Sequence, residues 1–350
     1  MHAYELTKND RIVLKNLGID IIDDNRNYWL VRTQGGLYFD DFYFDGFIGI
    51  EWDEIVPENE IENIDELKEI VEEKYPDETR IGYVAGQIFK FVNEFKRGDI
   101  VIIPNKDSKR FAFGEITDDN IYIHELTDQD RFQMYLNDDE SEKIFLKKRR
   151  KVNWIKTITR SELDPYLQTF IYAHNTIVDL NPYAPYIDRT LSSFYIKGEE
   201  AFFIQRVGKE TNIPFDDLTD LFVYNKSVIA FVNEHIECCH IDRGDIISKV
   251  SVQSKGPVEL KGPILKVLAI GAVCMFICGG HIKLNIKDGI EIGSDGVVSL
   301  IDSVINAYDV ISTHQENREI SELQEQYAEC KEKLELYESL VNTEIEINEQ

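Results

Sequence analysis

From Tyr28 to about Leu180 the apolar positions come in short runs punctuated by glycine, which predicts a mainly β region with interspersed helices. Tyr28-Trp-Leu-Val-Arg32 is a predicted strand that stops at Gly35-Gly36, and Phe47-Ile-Gly-Ile-Glu-Trp52 is a second. Ile64, Leu67, Ile70 and Val71 have helical spacing within Asn63–Tyr75, and Pro76 ends that helix. Ala85 to Phe95 is a second amphipathic helix, with Ile88, Phe89, Phe91, Val92 and Phe95 on or near one face. Gly98-Asp99 turns the chain into Ile100-Val-Ile-Ile103, an all-apolar run that predicts a buried strand. Phe111–Ile116, Ile121–Ile123 and Val152–Ile155 are the next predicted strands.

The second half follows other rhythms. Two prolines in Asn181-Pro-Tyr-Ala-Pro-Tyr predict a domain boundary, and Ser193–Ile196 with Ala201–Arg206 predicts a hairpin about Gly198. A helical stretch starts at Pro214 and runs, with a break, to about Ile236. The seventeen residues Ile264 to Gly280 hold a single charge, Lys266. That run is at the lower limit for a membrane span and also suits a buried hairpin or a strand pair. Ile320, Leu323, Tyr327, Cys330, Leu334, Tyr337 and Val341 step by three and four, an a/d seam. Either a helix lying on its own domain or a coiled coil joining chains has this pattern, and we expect a homo-oligomer. The expected organisation is α+β: a β-rich domain over 1–182 and a small α+β domain over 183–249. An apolar, glycine-containing segment over 250–310 and a coiled-coil helix over 311–350 follow.

Charge narrows the function. The chain has 350 residues, with 38 Lys and Arg against 65 Asp and Glu, a net charge of −27. A protein that coats nucleic acid by neutralising phosphates over its whole surface is thereby excluded, although local patches remain. Thirteen acids and two bases lie between Glu51 and Glu78, whereas Lys143 to Arg160 holds eight bases and no acid. A solvated face explains both runs. Lys147, Lys148, Arg149, Arg150 and Lys151 are nonetheless where a phosphate backbone would land. Five cysteines do not make a disulfide scaffold, and the start lacks a signal-peptide pattern. A cytoplasmic chain is expected, with the inner membrane an alternative through Ile264–Gly280.

Trp29-Leu-Val-Arg32, Gly35-Gly36, Asp40-Asp41-Phe42 and Gly46-Phe-Ile-Gly-Ile-Glu-Trp52 together resemble the N-terminal domain of Mrr-type restriction proteins. The similarity continues through Ile81-Gly82-Tyr-Val-Ala-Gly86-Gln87, Lys96-Arg-Gly-Asp99, Lys151-Val-Asn-Trp154 and Leu163-Asp-Pro-Tyr-Leu. Glu51 stands where that family has glycine, and Tyr83-Val84 where it has Asn-Trp. The resemblance implies an EVE/PUA-like β-barrel with flanking helices that holds an extruded, often modified base in an aromatic pocket. It implies Trp29, Tyr38 and Trp52 for stacking and Arg32 and Gln87 for edge or phosphate contacts. Each has a packing alternative: a tryptophan in a small barrel also serves as core, and Gln87 can satisfy buried backbone groups.

Catalytic patterns are missing from the sequence. Glu94-Phe-Lys96 has the spacing of a nuclease carboxylate–lysine pair but falls in a predicted helix. His235, Cys238, Cys239 and His240 are the one cluster of soft ligands and form a weak zinc candidate; no metal or other cofactor is expected. The expected function is non-enzymatic sensing of a nucleic acid or nucleotide, with a modified base as ligand, in prokaryotic defence against foreign DNA. A divergent nuclease of a restriction system is one alternative. A membrane-associated defence effector or assembly scaffold is the other.

Overall fold

The computed structural model describes residues 4–56, 61–128, 144–251, 255–278, 296–313 and 318–337. It is mixed α+β with two curled sheets, one in each of two compact units: Asn25–Leu191, and Met1–Asp24 with Ser192–Gln350.

In the Asn25–Leu191 unit the strands run in the order Phe47–Ile50, Lys148–Thr159, Arg110–Ile116, Ile100–Pro104, Tyr28–Val31, Ile177–Asp179. Tyr28–Val31 is parallel to Ile100–Pro104, and the other pairs are antiparallel. The continuous apolar runs are explained by burial on both faces. Side chains alternate across a strand, so Tyr28, Leu30, Ile100, Ile102, Phe111 and Phe113 face Leu167, Phe170 and Ile187. The opposite parity, Trp29, Val31, Val101, Ile103 and Ala112, faces Val84, Ala85, Ile88 and Phe91 of the helical layer. The helix Ile64–Lys74 starts at an Asn63 cap, whose side chain accepts the Asp65 N–H. The helix Ile81–Phe89 continues into a wider π turn, Lys90–Glu94. At Gly36 φ is +99° and a Cβ would lie 2.2 Å from the Lys106 nitrogen, so the turn after the first strand requires glycine.

The boundary expected at the two prolines lies elsewhere. Pro182 and Pro185 open a 3-10 turn and the helix Ala184–Leu191, which closes this unit through Tyr28 Oη donating to Asp188 (2.5 Å) and a buried Ile187. The first 24 residues are not part of this unit. Asp20–Ile22 pairs with Phe194–Lys197 in the other sheet, and helix Lys8–Asn16 buries Val13 and Leu14 in that core.

The second unit unites the three segments expected to be separate. Its sheet runs Asp20–Ile22, Phe194–Lys197, Glu200–Val207, Gly256–Pro263, Ile247–Val250, with Leu336–Tyr337 added to Glu200–Val207. One core joins this sheet to the helices Phe215–His235, Ile264–Ile277, Val297–Thr313 and Arg318–Leu334. Phe215–His235 is one unbroken helix. The apolar run is a core helix: Val267 through Cys274 are all buried, and at Gly271 a Cβ would sit 2.3 Å from the Phe194 ring. No helix among the described residues is long and apolar enough to cross a membrane. Residues 279–295 lie outside the described residues.

The predicted seam is real as a pattern but is covered by its own unit. Ile320, Leu323, Cys330 and Leu334 are at most 3% exposed, and the Tyr327 ring lies 5.7 Å from that of Tyr224. The helix ends at Leu334, and Glu335, with φ of +51°, turns the chain into a strand; Val341 is outside the described residues. Ile320, Leu323, Cys330 and Leu334 of the seam therefore face the core of their own unit, while Tyr337 is exposed.

Candidate functional site

The Asn25–Leu191 unit contains a cleft of about 480 Å³, which is roomy enough for a nucleobase. Three segments bound it: Arg32 to Tyr38 after the first strand, Gly49 to Glu51 at the end of the second, and Ile171 to Thr176. Leu146, just before the long strand Lys148–Thr159, completes the wall.

The five predicted base contacts divide into two sets. Arg32 and Tyr38 line the cleft. Arg32 Nη2 donates to the carbonyls of Ile171 and Ala173, and its backbone N–H donates to Thr176 O at 2.8 Å. That pins the third wall to the first strand. Burial lowers the Arg32 pKa. Tyr38 is buried and its hydroxyl bonds both the N–H and the C=O of Ile144 at 2.9 Å, while burial raises its pKa to about 12. The Tyr38 phenol therefore stays neutral and presents a ring, not a charge.

Trp29, Gln87 and Trp52 do not line the cleft. Trp29 is core: it stacks on Phe95 at 4.6 Å and donates to Asp99 at 2.9 Å. Gln87 Oε1 accepts the Ile177 N–H at 2.6 Å, so it holds an edge strand in place. Trp52 is half-buried and meets Tyr83 edge-on at 6.5 Å; the Tyr83 hydroxyl accepts the Thr176 N–H at 2.9 Å. Trp52 thus stands one layer behind the third wall. It also has φ of +65°, a conformation that large residues rarely adopt and that strain confines to places where the surroundings enforce it.

Lys148 enforces it. Its buried ammonium donates to Trp52 O at 2.6 Å and to Asp53 Oδ1 at 3.3 Å, and Asp53 Oδ1 also accepts the Lys147 N–H at 2.9 Å. Burial lowers the Lys148 pKa to about 8, against the pull of Asp53. Beside this turn stands Glu51, whose pKa is raised by burial and then by Asp53. Among the described residues Glu51 takes part in no hydrogen bond or ion pair. The sequence reading missed Glu51, Gln34 and His174 as lining residues. For Glu51 a signal existed, since it departs from glycine in the resembling family.

The basic run alternates. Lys148 and Arg150 are fully buried, and Arg150 donates to the carbonyls of Phe91 (2.7 Å), Val92 (2.7 Å) and Asp119 (2.8 Å). It satisfies the carbonyls freed where the π turn ends, and burial lowers its pKa to about 10. These two residues are engaged inside the fold and are not placed to touch phosphate. Arg149 lies over the rings of Phe47 and Phe145 at 4.1 and 5.0 Å. Lys147 is half-buried and Lys151 is exposed.

The soft-ligand cluster does not converge. Cys239 is buried with its thiol 3.7 Å from Leu265 O, Cys238 Sγ is 3.6 Å from Ser303, and His240 is 3.5 Å from Asp242. His235 instead meets Glu319 at 3.0 Å, with Glu234 nearby, a grouping across 84 residues that no local spacing announces. Glu94 ends the π turn and the Lys96 N–H donates to Asp99, so Glu94-Phe-Lys96 does not lie on paired strands.

A family model described as a domain of unknown function, DUF8426, matches residues 29–181, which nearly coincides with the Asn25–Leu191 unit. Neither the comparison with curated proteins nor that with solved structures gave a match.

Proposed function

We propose that the Asn25–Leu191 unit is a non-enzymatic recognition module that accommodates a base, from a nucleic acid or a nucleotide, in the cleft beside Arg32 and Tyr38. The observation that carries this reading is the cleft itself: its volume suits a single base, and Arg32 and Tyr38 line it. Tyr38 and the exposed His174 supply aromatic surface, and Arg32 keeps Nε–H and Nη1–H as single donors for an acceptor edge. The resemblance to Mrr-type N-terminal domains adds an EVE/PUA-like barrel and a setting in prokaryotic defence, both inferred by similarity. Tryptophan fluorescence tests the reading, because Trp29, Trp52 and Trp154 all belong to this unit. Titrating the full chain with duplexes and single strands carrying unmodified or modified bases should give saturable binding, and His174→Ala should weaken it without shifting the unfolding midpoint. Binding to none of them, or binding indifferent to His174, would refute the reading.

A further inference from the structure

Arg32 and Glu51 line the same cleft with opposite charges, yet they do not pair. Arg32 spends Nη2 on two carbonyls; among the described residues its Nε and Nη1 have no partner. Both oxygens of Glu51 are likewise unclaimed. Burial lowers the Arg32 pKa, while burial and then Asp53 raise that of Glu51. A guanidinium and a carboxylate free to move would close into a bidentate pair. Here Arg32 is tethered to Ile171 and Ala173, and Glu51 is carried by the turn that Lys148 and Asp53 fix.

A single donor and a pair of acceptors that do not close on each other fit a planar ligand with an acceptor beside two adjacent donors. Among the nucleobases guanine has that layout. Its O6 accepts one bond from Arg32 Nε–H or Nη1–H, which point apart and form no bidentate fork while Nη2 is engaged. Its N1–H and N2–H2 offer two neighbouring donors to a carboxylate, which when ionised only accepts. Cytosine and adenine place a ring acceptor beside their amino donor, so one carboxylate oxygen would face a lone pair. Uracil and thymine offer one N–H between two carbonyls. We propose that Glu51, with Arg32 lining the same cleft, makes the cleft selective for a guanine-type base. This rests on the cleft being a base pocket. The resemblance does not supply the role, because the resembling family has glycine at the position of Glu51.

The test is calorimetric titration of the full chain with the monophosphates of guanosine, cytidine, adenosine and uridine, repeated on Glu51→Gln. The amide of E51Q replaces one acceptor with a donor and sets N–H against N–H at guanine. Guanosine monophosphate should bind the wild type at least about tenfold more tightly than the other three. E51Q should weaken it about 5- to 150-fold, the span of one bidentate base contact of about 1–3 kcal/mol, with the urea midpoint unchanged. If the four bind alike, or E51Q keeps the order of preference, the guanine assignment is wrong while base reading stands. If none of the four binds the wild type, and the oligonucleotide titration also fails, base reading falls and takes this assignment with it.

Discussion

Arg150→Met tests the account of the basic run at its most buried member. The variant keeps an unbranched side chain on the sheet but removes three charge-assisted bonds, to Phe91 O, Val92 O and Asp119 O. Such bonds contribute about 1.5–3 kcal/mol each, so the gross loss is roughly 5–9 kcal/mol. Part of it is offset, because burying the guanidinium has a cost. Its pKa falls from 12.5 to about 10, which corresponds to about 3 kcal/mol that the variant no longer bears. The net destabilisation should be about 2–6 kcal/mol. Lys151→Met, one residue further along the same strand and exposed, should cost under about 0.5 kcal/mol. Urea unfolding followed by tryptophan fluorescence reads this unit alone, since all three tryptophans lie in it. With a slope of about 1–3 kcal/mol per molar, R150M should lower the midpoint by at least about 0.7 M. Equal midpoints for R150M and K151M would refute the claim that alternation of the strand divides the run.

Other predictions follow from the same contacts. Folded Lys148 titrates near 8 and unfolded lysine near 10.5, so between these values the unfolded chain holds a proton the folded chain has lost. Stability of this unit should therefore rise with pH across that window, by up to about 3 kcal/mol, and the difference between wild type and Lys148→Met in urea titrations at pH 7.5 and 10.5 isolates it. Guanosine monophosphate affinity, which needs ionised Glu51, should begin to fall at a higher pH than an ordinary carboxylate would impose, and E51Q should abolish that dependence. Gly271→Ala should cost about 1–3 kcal/mol by pressing on the Phe194 ring, measured by thermal unfolding; a helix not packed on this sheet would accept the methyl. Leu323→Asp should unfold the second unit while leaving the tryptophan-reported unfolding of the Asn25–Leu191 unit in place, because the seam packs into the core of its own unit.

What the sequence revealed depended on how local each signal was. The strands at Tyr28, Phe47, Ile100 and Phe111, the Asn63-capped helix and the Gly198 hairpin are all set by periods and punctuation within about ten residues, and they appear where expected. The partition of the chain was not legible, because Asp20–Ile22 joins a strand 175 residues away. The apolar run Ile264–Ile277 reads alike whether lipid or protein surrounds it, since both bury every face. The heptad-like seam tells that one face of a helix is covered but not by what; here Tyr224 and its helix cover it. Composition showed the basic run but hid its alternation, which puts Lys148 and Arg150 inside. At the cleft, Arg32 and Tyr38 were found by resemblance, while Trp29 and Gln87 bond within the core instead of lining it. Glu51 was marked only by its departure from the resembling family's glycine, because a single carboxylate in an acidic stretch has no periodicity of its own.

The central claim is that a base enters the cleft between the three segments that wall it. Hydrogen–deuterium exchange of the full chain, with and without saturating guanosine monophosphate, addresses this most directly. Backbone amides at Gln34–Tyr38, Gly49–Asp53 and Ile171–Thr176 should exchange more slowly when the nucleotide is present, and the Met1–Asp24 and Ser192–Gln350 unit should not change. Protection confined to the exposed bases around Lys151, or to the second unit, would contradict the claim, as would protection at none of the three walls.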